Sequence, residues 1–293
     1  MYPNPIGFSK RQGCNLRVRC YNREKTKNGE ITLQIIDFHT HIYPEPIAAK
    51  AAQSIRDFYQ LRDVEQPGTV AQLLSRGRAA GISRYVVLPV AMKPAQTASI
   101  NDFILSQVAL HPEFIGFGTV HAATENMTDE VQRIMDLGLK GLKMHPDFQL
   151  FVIGDPRLFP MYEMIQGKLP VIYHMGDPRY DFSHPKRLRH VLDLFPKLQV
   201  VAAHFGGYSM YETGCEYLKD TDCFFDISSS MMFMPEGVPE TYIRKYGAER
   251  MVFGSDFPLW DPVQEVKRFM DLKLTEDERE QIAHKTAENL LNI

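Results

Sequence analysis

The sequence predicts an α/β protein with a (β/α)8 TIM-barrel fold in a single domain, preceded by a poorly ordered N-terminal tail. From residue 33 onward, eight short apolar runs alternate with segments of helical length. This alternation indicates a parallel sheet, because each strand is followed by a crossover helix. Eight such units close a barrel, and the 293 residues of the chain exceed the length of about 250 that is typical of one.

The predicted strands are the apolar runs taken in chain order. They cover residues 33–39, 82–88, 114–120, 139–144, 170–174, 199–204, 223–227 and 251–254. The segments between them show the helical spacing of apolar residues, as in 70–77 and 131–138. Pro156 and Pro185 mark helix starts, whereas Gly81 and Gly138 mark helix ends. A doubly wound open sheet is the alternative, but no glycine-rich phosphate loop follows the first strand.

Residues 1–30 differ in composition from the rest of the chain. They contain a basic stretch between Lys10 and Lys27, few large aliphatic residues and little periodicity. Such a segment buries too little apolar surface to fold by itself, which predicts a disordered tail. A second interpretation makes it an upstream extension of a protein that starts at Leu33. Residues 31–293 form the predicted barrel domain.

Composition and charge exclude several classes of protein. The chain is 44% hydrophobic and 24% charged, with a formal net charge of −3, so we expect no nucleic-acid partner. No apolar run approaches the roughly 20 residues of a membrane span, and no secretory signal is visible, so we expect a cytoplasmic protein. The cysteines at positions 14, 20, 215 and 223 lack metal-binding spacing and are predicted to be free thiols.

A His-x-His pair closes the first predicted strand. The segment reads Asp37-Phe38-His39-Thr40-His41. Side chains alternate between the faces of a strand, so His39 and His41 point the same way, about 7 Å apart along the backbone. Two imidazoles in this arrangement can reach one transition metal. A hydrogen-bonded polar strand end is the alternative interpretation of the pair.

The remainder of the chain favours a metal site. Six of the ten histidines lie at or just past the end of a predicted strand, and an aspartate ends the eighth strand. Because the C-terminal ends of all barrel strands meet on one face, these residues are expected to share one cup. Hydrogen bonding at a strand end explains any single histidine, but a metal or catalytic site explains the set better. That set is His39, His41, His174, His204 and Asp256, and the other two histidines at strand ends are His121 and His145.

The residues around these positions resemble the amidohydrolase superfamily of metal-dependent barrels. The resemblance spans residues 33 to 293 and is closest to the amidohydrolase-related branch that includes aminocarboxymuconate semialdehyde decarboxylase. Besides the His-x-His pair and His174, the segments that carry it are Gly141-Leu142-Lys143-Met144-His145-Pro146, Ala203-His204-Phe205-Gly206-Gly207, Val252-Phe253-Gly254-Ser255-Asp256-Phe257-Pro258 and Asn289-Leu290-Leu291.

The resemblance implies a role for each residue of the motif. His39, His41, His174 and Asp256 are expected to bind one divalent metal ion, with Zn²⁺ as the first choice and Mn²⁺ or Fe²⁺ as alternatives. His204 is expected to be the catalytic histidine, which exchanges a proton because an imidazole titrates near neutral pH. Asp256 is expected to have a catalytic role as well, binding the metal with one oxygen and accepting a proton with the other.

Further residues are expected around the metal or in contact with the substrate. Asp37 is interpreted as an acceptor that orients a histidine, or as a weak extra ligand. Lys143 is either an interior lysine paired with a carboxylate or a carboxylated bridge between two metals, and we favour the first interpretation. His121 and His145 are expected to contact substrate, and Arg179 is a candidate for binding a substrate carboxylate. His184 belongs to a loop that can fold over the mouth of the barrel.

The expected reaction is hydrolysis of a small amide, ester or lactone by a metal-activated water. The alternative is non-oxidative decarboxylation of a small aromatic or enoic acid, for which the substrate carboxylate needs a fixed cation. A third interpretation is a metal-binding barrel without turnover, although the presence of His204 and Asp256 argues against it. In each enzymatic case the partner is a small-molecule substrate, and the resemblance also implies a homodimer.

Overall fold

The computed structural model describes residues 33–61 and 66–293. The predicted tail at residues 1–30 lies outside this part of the chain, and so do Cys14 and Cys20. Eight strands follow one another in the described residues; seven lie within the predicted runs, and β1 extends one residue past its run, to Thr40. They are β1 Ile36–Thr40, β2 Arg84–Val87, β3 Phe114–Gly116, β4 Leu142–Met144, β5 Val171–Tyr173, β6 Val200–Ala202, β7 Phe224–Asp226 and β8 Met251–Val252.

The strands pair in parallel and close on themselves. Strands β1 to β3 form one continuous ladder and β4 to β8 form another. A parallel bridge between Gly118 and Leu142 joins β3 to β4, and one between Thr40 and Phe257 joins the end of β1 to the chain after β8. Closure is reinforced where the amide of Phe38 donates to the carbonyl of Phe253 at 2.8 Å. The barrel prediction is confirmed, and the open-sheet alternative is wrong.

Helices occupy the connections between strands. Two predicted boundaries are confirmed. Pro185 is the first residue of the helix Pro185–Leu194, and Gly81, with a φ of 79°, caps the C-terminus of the helix Val70–Ala80. The helices are α1 Glu45–Tyr59, α2 Val70–Ala80, α3 Thr97–Leu110, α4 Met127–Asp136, α5 Pro146–Gln149, α6 Phe159–Ile165, α7 Pro185–Leu194, α8 Tyr211–Leu218, α9 Val238–Tyr246, α10 Pro262–Asp271, α11 Glu276–Glu280 and α12 Thr286–Leu291. No helix in the described ranges is long and apolar enough to cross a membrane.

The core has two layers because successive strand residues point to opposite faces. One cluster fills the inside of the barrel with residues from six strands, among them Phe38 and Phe117, whose rings meet edge to face at 5.7 Å. Leu290 and Leu291 of α12 join this inner cluster. The larger cluster packs the outer faces of the strands against the surrounding helices. Both layers hold the C-terminal strand ends in place around the mouth.

Candidate metal centre and active site

The two histidines of β1 are each anchored through one ring nitrogen. Nδ1 of His39 lies 2.8 Å from Oδ2 of Asp226, and Nδ1 of His41 lies 2.6 Å from the carbonyl oxygen of Leu88. An ionised carboxylate and a carbonyl can only accept, so both Nδ1 atoms donate. The Nε2 atoms therefore keep their lone pairs, and they lie 3.5 Å and 3.4 Å from the same oxygen, Oδ1 of Asp256.

The histidines of β5 and β6 follow the same pattern. Nε2 of His174 lies 3.2 Å from the hydroxyl of Tyr59, and Nδ1 of His204 lies 2.9 Å from the hydroxyl of Ser228. The remaining nitrogens, Nδ1 of His174 and Nε2 of His204, face each other at 3.0 Å. Each of these four rings is thus held by an outer nitrogen and turns its inner nitrogen towards the centre of the mouth.

Asp256 is positioned by backbone and side-chain contacts together. It has a φ of 58°, a left-handed conformation that a non-glycine residue adopts only when its surroundings enforce it. The hydroxyl of Ser229 donates to Oδ2 of Asp256 and itself accepts from Nε1 of Trp260 at 2.8 Å. Burial opposes ionisation, but the neighbouring His39, His41 and His204 hold the pKa of the Asp256 carboxyl well below its usual range.

These groups fit a divalent metal. The ligand atoms of His39, His41 and Asp256 all lie within 4.8 Å of one another. Imidazole nitrogens together with one carboxylate oxygen are the donors that a catalytic zinc site uses, and they also suit manganese and iron. Nδ1 of His174 is the further inner nitrogen on the opposite side of the mouth. Burial lowers the pKa of His39 to about 4 and that of His174 well below its usual value, so both rings are neutral at pH 7.

Asp226 belongs to a second possible ligand group, because one of its oxygens and a ring nitrogen of each of His39 and His204 also lie within 4.8 Å of one another. Its Oδ2 accepts from His39. Its Oδ1 accepts from the amide of His204 at 3.1 Å and from the amide and hydroxyl of Ser228 at 2.9 Å and 2.6 Å. Four donors occupy this carboxylate. It therefore fixes His39 and His204 relative to each other.

Lys143 and His145 both reach the centre from β4. The Nζ atom of Lys143 lies 3.1 Å from Nε2 of His39, and burial lowers the pKa of this lysine to about 8. Its direct neighbour is therefore a histidine, whereas the sequence interpretation paired it with a carboxylate. The ring of His145 stacks on His174 with centroids 4.1 Å apart and on Phe148 at 3.8 Å. His145 thus lines the mouth as predicted and forms part of a flat aromatic wall.

Asp37 accepts hydrogen bonds from backbone amides close to the candidate metal centre. Its Oδ1 accepts from the amides of His39 at 3.2 Å and Ser255 at 2.9 Å, which joins the end of β1 to the segment after β8. Its Oδ2 has no hydrogen-bond partner among the described residues. Burial raises the pKa of Asp37 to about 7. It orients the chain that carries two of the predicted ligands and contacts no imidazole ring.

Three residues predicted to lie around the metal or near the substrate do not line the cavity. His121 turns back on its own loop, where Nδ1 accepts from the amide of Ala123, and His184 caps α7 by accepting from the amide of Lys186. The guanidinium of Arg179 is engaged by the carboxylate of Asp177 at 2.6 Å and 2.9 Å and by the carbonyl of Phe58 at 2.6 Å. Arg179, His121 and His184 thus make local contacts away from the lining of the cavity, where the sequence had placed them around the metal or near the substrate.

The cavity above the centre has a volume of about 800 Å³. Its floor is made by the inner faces of the site histidines with Lys143 and Asp256. Aromatic side chains surround this floor, namely Tyr43, Phe58, Tyr59, Phe148, Tyr208 and Trp260. Helix α1 begins just after β1 and ends at Tyr59, which contacts His174 after β5, so the helix crosses the mouth of the barrel.

Sequence reasoning missed Asp226, Ser228 and Tyr59. Asp226 ends β7, so the rule that selected the histidines at strand ends also applies to it. Ser228 follows two residues later and belongs to the same strand end. Tyr59 is the last residue of a helix and lies 115 positions before His174, its partner in the site. No pattern in the sequence connects those two residues.

The fold and the site together define a (β/α)8 barrel enzyme with a possible site for a divalent metal built from histidine and aspartate. A family model described as Amidohydrolase matches residues 36–293. The chain therefore belongs to this amidohydrolase family, as the resemblance implied.

Solved structures share the fold over most of the chain. An uncharacterized TIM-barrel protein from Bordetella bronchiseptica is 23% identical, with a TM-score of 0.76 over 89% of this chain and 99% of that one. The 5-carboxyvanillate decarboxylase from Sphingomonas paucimobilis is 17% identical, with a TM-score of 0.70 over 89% and 100%. A dihydroxybenzoic acid decarboxylase from Polaromonas sp. JS666, solved with bound manganese, is 17% identical, with a TM-score of 0.70 over 89% and 97%.

Proposed function

We propose that this protein is a metal-dependent hydrolase that acts on a small neutral ester, lactone or amide. The observation that carries the proposal is the charge of the cavity. Among the described residues that line it, Lys143 is the one lysine or arginine, and it is buried against His39. Within the described residues, a substrate carboxylate placed above the centre therefore has no guanidinium to bind, since Arg179 is held by Asp177. A neutral carbonyl group needs no such cation.

In this proposal the metal is held by His39, His41 and Asp256, whose ligand atoms lie within 4.8 Å of one another, with His174 as the fourth ligand. A divalent ion bound there would polarise a carbonyl oxygen and lower the pKa of a water molecule towards neutrality. The two imidazoles are already oriented for metal binding, because Asp226 and the carbonyl of Leu88 fix the tautomers of His39 and His41. Preorientation of this kind reduces the entropy lost when a metal binds.

His204 is the proton carrier in this proposal. Ser228 and the carbonyl of the same residue hold its Nδ1, at 2.9 Å and 3.3 Å, so that Nε2 faces the floor of the cavity. Burial lowers the pKa of His204 below its ordinary value, which keeps the ring neutral and able to accept a proton. Oδ2 of Asp256 is already bonded to Ser229, and this favours His204 over Asp256 as the residue that moves the proton.

Decarboxylation is the second candidate, and the structural neighbours favour it. Two of the solved structures named above are decarboxylases of aromatic acids. The flat stack of Phe148, His145 and His174 would suit an aromatic ring, and Lys143 is the cation nearest to the centre. In this alternative the substrate carboxylate would lie against the metal and Lys143, beneath the stacked rings.

A parallel screen distinguishes the two reactions. The metal-loaded protein is incubated with matched lactones, aryl esters, anilides and hydroxybenzoic acids, while acid release and carbon dioxide release are measured together. We expect acid release from a lactone or ester, with one oxygen from labelled water in the product. Carbon dioxide release without incorporation of label would replace the hydrolase proposal by the decarboxylase. Turnover of either kind would exclude a non-catalytic barrel.

Two variants separate the metal ligands from the proton carrier. His174→Ala should lower the metal content of the purified protein, because it removes an inner nitrogen of the centre. His204→Ala should retain about one metal per chain and lose most turnover, in the range of 10² to 10⁴-fold that is typical of general acid–base groups. The metal is measured by elemental analysis. Equal loss of metal in both variants would show that His204 is itself a ligand.

A further inference from the structure

The cavity extends beyond the metal centre on the side of β2. There it is lined by the loop after β2 and by α3, with α1 above it. All charged residues that line the cavity within the described ranges, Lys143, Asp147 and Asp256, come from the ends of β4 and β8. We call the remainder, between α1 and α3, the α1–α3 groove. The described residues of its walls have apolar or uncharged polar side chains.

Helix α1 turns an apolar stripe towards this groove. Ile47, Ala51, Ile55 and Phe58 line the cavity and recur at the three- and four-residue spacing that places side chains on one helix face. The buried residues through which α1 packs into the protein are Ala48, Ala52 and Tyr59, and of these Tyr59 also lines the cavity. The helix therefore has two apolar faces, one covered by protein and one facing the cavity.

Helix α3 presents the opposite wall. Ile100, Phe103 and Ile104 line the cavity at the same helical spacing, while Asn101 on a neighbouring face is buried against the backbone of Thr119. The outer rim of the groove is also apolar. Ile47 and Met92 line the cavity and are 50% and 53% exposed. Apolar surface exposed to water in this way is unfavourable in free energy, and an apolar ligand that covers it is therefore favoured.

We propose that the α1–α3 groove binds an alkyl or acyl substituent of the substrate, so that the substrate is a neutral carbonyl compound with a long apolar chain. The reacting carbonyl lies at the charged end and the chain runs beneath α1. This inference rests on the proposed hydrolysis for its reacting group, but the groove itself is tested by binding alone. Ala51 is the narrowest side chain of the α1 stripe, about 12 Å along the helix from Tyr59.

Binding is measured first with unreactive probes. Trp260, the one tryptophan of the chain, lines the cavity, so its fluorescence reports occupancy without turnover. Metal-loaded protein is titrated with primary alcohols of four, six, eight and ten carbons. Burial of each methylene should tighten binding about three- to fourfold, which amounts to roughly a hundredfold between four and eight carbons. A dissociation constant that does not depend on chain length would overturn the proposal.

Matched variants localise the effect. Ala51→Phe narrows the groove. The increase in affinity between the alcohols of four and eight carbons should then fall to less than tenfold, with little effect on the affinity for the shortest alcohol. Ala49→Phe makes the same change on the exposed face of α1 and should behave as the wild type. Ile100→Phe fills the groove from α3 and keeps the test available if Ala51→Phe does not fold. If both groove variants keep the wild-type increase in affinity from four to eight carbons, the alkyl chain binds outside the groove.

Kinetics with γ-lactones of four, eight and twelve carbons then separate the two proposals. If kcat/KM rises with the chain length of the lactone and Ala51→Phe abolishes that rise, the hydrolase proposal and the groove proposal are both supported. If the alcohols bind according to length but no lactone is hydrolysed, the groove stands and the hydrolase proposal fails. If the lactones are hydrolysed at rates independent of length, the hydrolase stands and the groove proposal is wrong.

Discussion

A single carboxylate, that of Asp226, links a predicted metal ligand to the predicted proton carrier. It accepts from Nδ1 of His39 and from the backbone of His204, and it holds the hydroxyl of Ser228 that contacts the ring of His204. Although burial opposes ionisation, the adjacent His39 keeps the pKa of Asp226 well below its usual range. The ring of His39 is thereby held in one tautomer and one orientation.

We expect Asp226→Asn to weaken metal binding by about ten- to a hundredfold, as is typical when the acceptor of a metal-binding histidine is lost. An amide is a poorer acceptor than a carboxylate, and it can present its NH₂ group to Nδ1 of His39, which favours the wrong tautomer. Affinity is measured by competition with a chelating dye, so that the result does not depend on activity. Asp177→Asn is the control, because that buried carboxylate pairs with Arg179. Equal affinities in wild type and Asp226→Asn would contradict the role.

Individual residues were predictable from the sequence where backbone position alone decides their place. His39, His41, His174, His204 and Asp256 lie at strand ends, and the closure of the barrel brings strand ends together. Arg179 was not predictable, because its direction depends on Asp177 two residues earlier and on a carbonyl of α1. Side-chain pairing of this kind is a tertiary property that leaves no periodic signal.

At the scale of elements, the loops after β5 and β6 pack directly on each other. A Cβ placed on Gly176 would lie 2.5 Å from Cα of Gly207, and the φ of Gly176 is 79°. The two loops begin immediately after His174 and His204, whose facing nitrogens are 3.0 Å apart. Close backbone contact between the loops therefore sets the distance between these two rings.

Gly176→Ala should destabilise the protein by more than the roughly 1 kcal/mol that a left-handed alanine costs, because the neighbouring backbone must also move. Gly167→Ala provides the matched control, since its φ is 70° and nothing lies within 4 Å of the added Cβ. Both free energies of unfolding are obtained by urea titration. Gly176→Ala should in addition lower turnover. Equal destabilisation in the two variants would show that the loops do not constrain each other.

The order of elements was predictable because strands buried on both faces produce continuous apolar runs between helical segments. The observed strands are shorter than the runs. For example, β3 ends at Gly116, while the predicted run continues to 120 with isolated contacts such as the hydrogen bond from the amide of Phe117 to the carbonyl of Val87 and the bridge of Gly118 with Leu142. Apolar character marks burial, and burial continues past the point where regular pairing stops. The path of α1 across the mouth has no such signal.

At the scale of the whole molecule, barrel closure leaves carboxyl groups in a dry interior. Glu265 on α10 is fully buried; one of its oxygens accepts from Arg268, and the other has no partner among the described residues. Burial raises its pKa from 4.5 to about 7. Between about pH 4.5 and 7 the folded protein therefore keeps a proton on Glu265 that the unfolded chain has already released.

This difference has a defined effect on stability. The contribution of Glu265 to the free energy of unfolding is fully present below pH 4.5, decreases as the pH rises to 7, and is constant above that. Glu265→Gln removes the titrating group and with it the decrease. Relative to the wild type, the variant should therefore gain about 2 to 3 kcal/mol between pH 5 and pH 8.

Urea titrations of metal-loaded wild type and Glu265→Gln at pH 5, 6, 7 and 8 measure this gain. At each pH the free energy of unfolding of the wild type is subtracted from that of the variant, and the results are compared between pH values. Taking the difference removes the contribution of the histidines, which titrate alike in both proteins. Glu236→Gln is the surface control, because Glu236 pairs with Lys273 in solvent and should show no change across this range. A constant difference between wild type and Glu265→Gln at all four pH values would mean that Glu265 is ionised throughout. The buried carboxylate would then be compensated by Arg268.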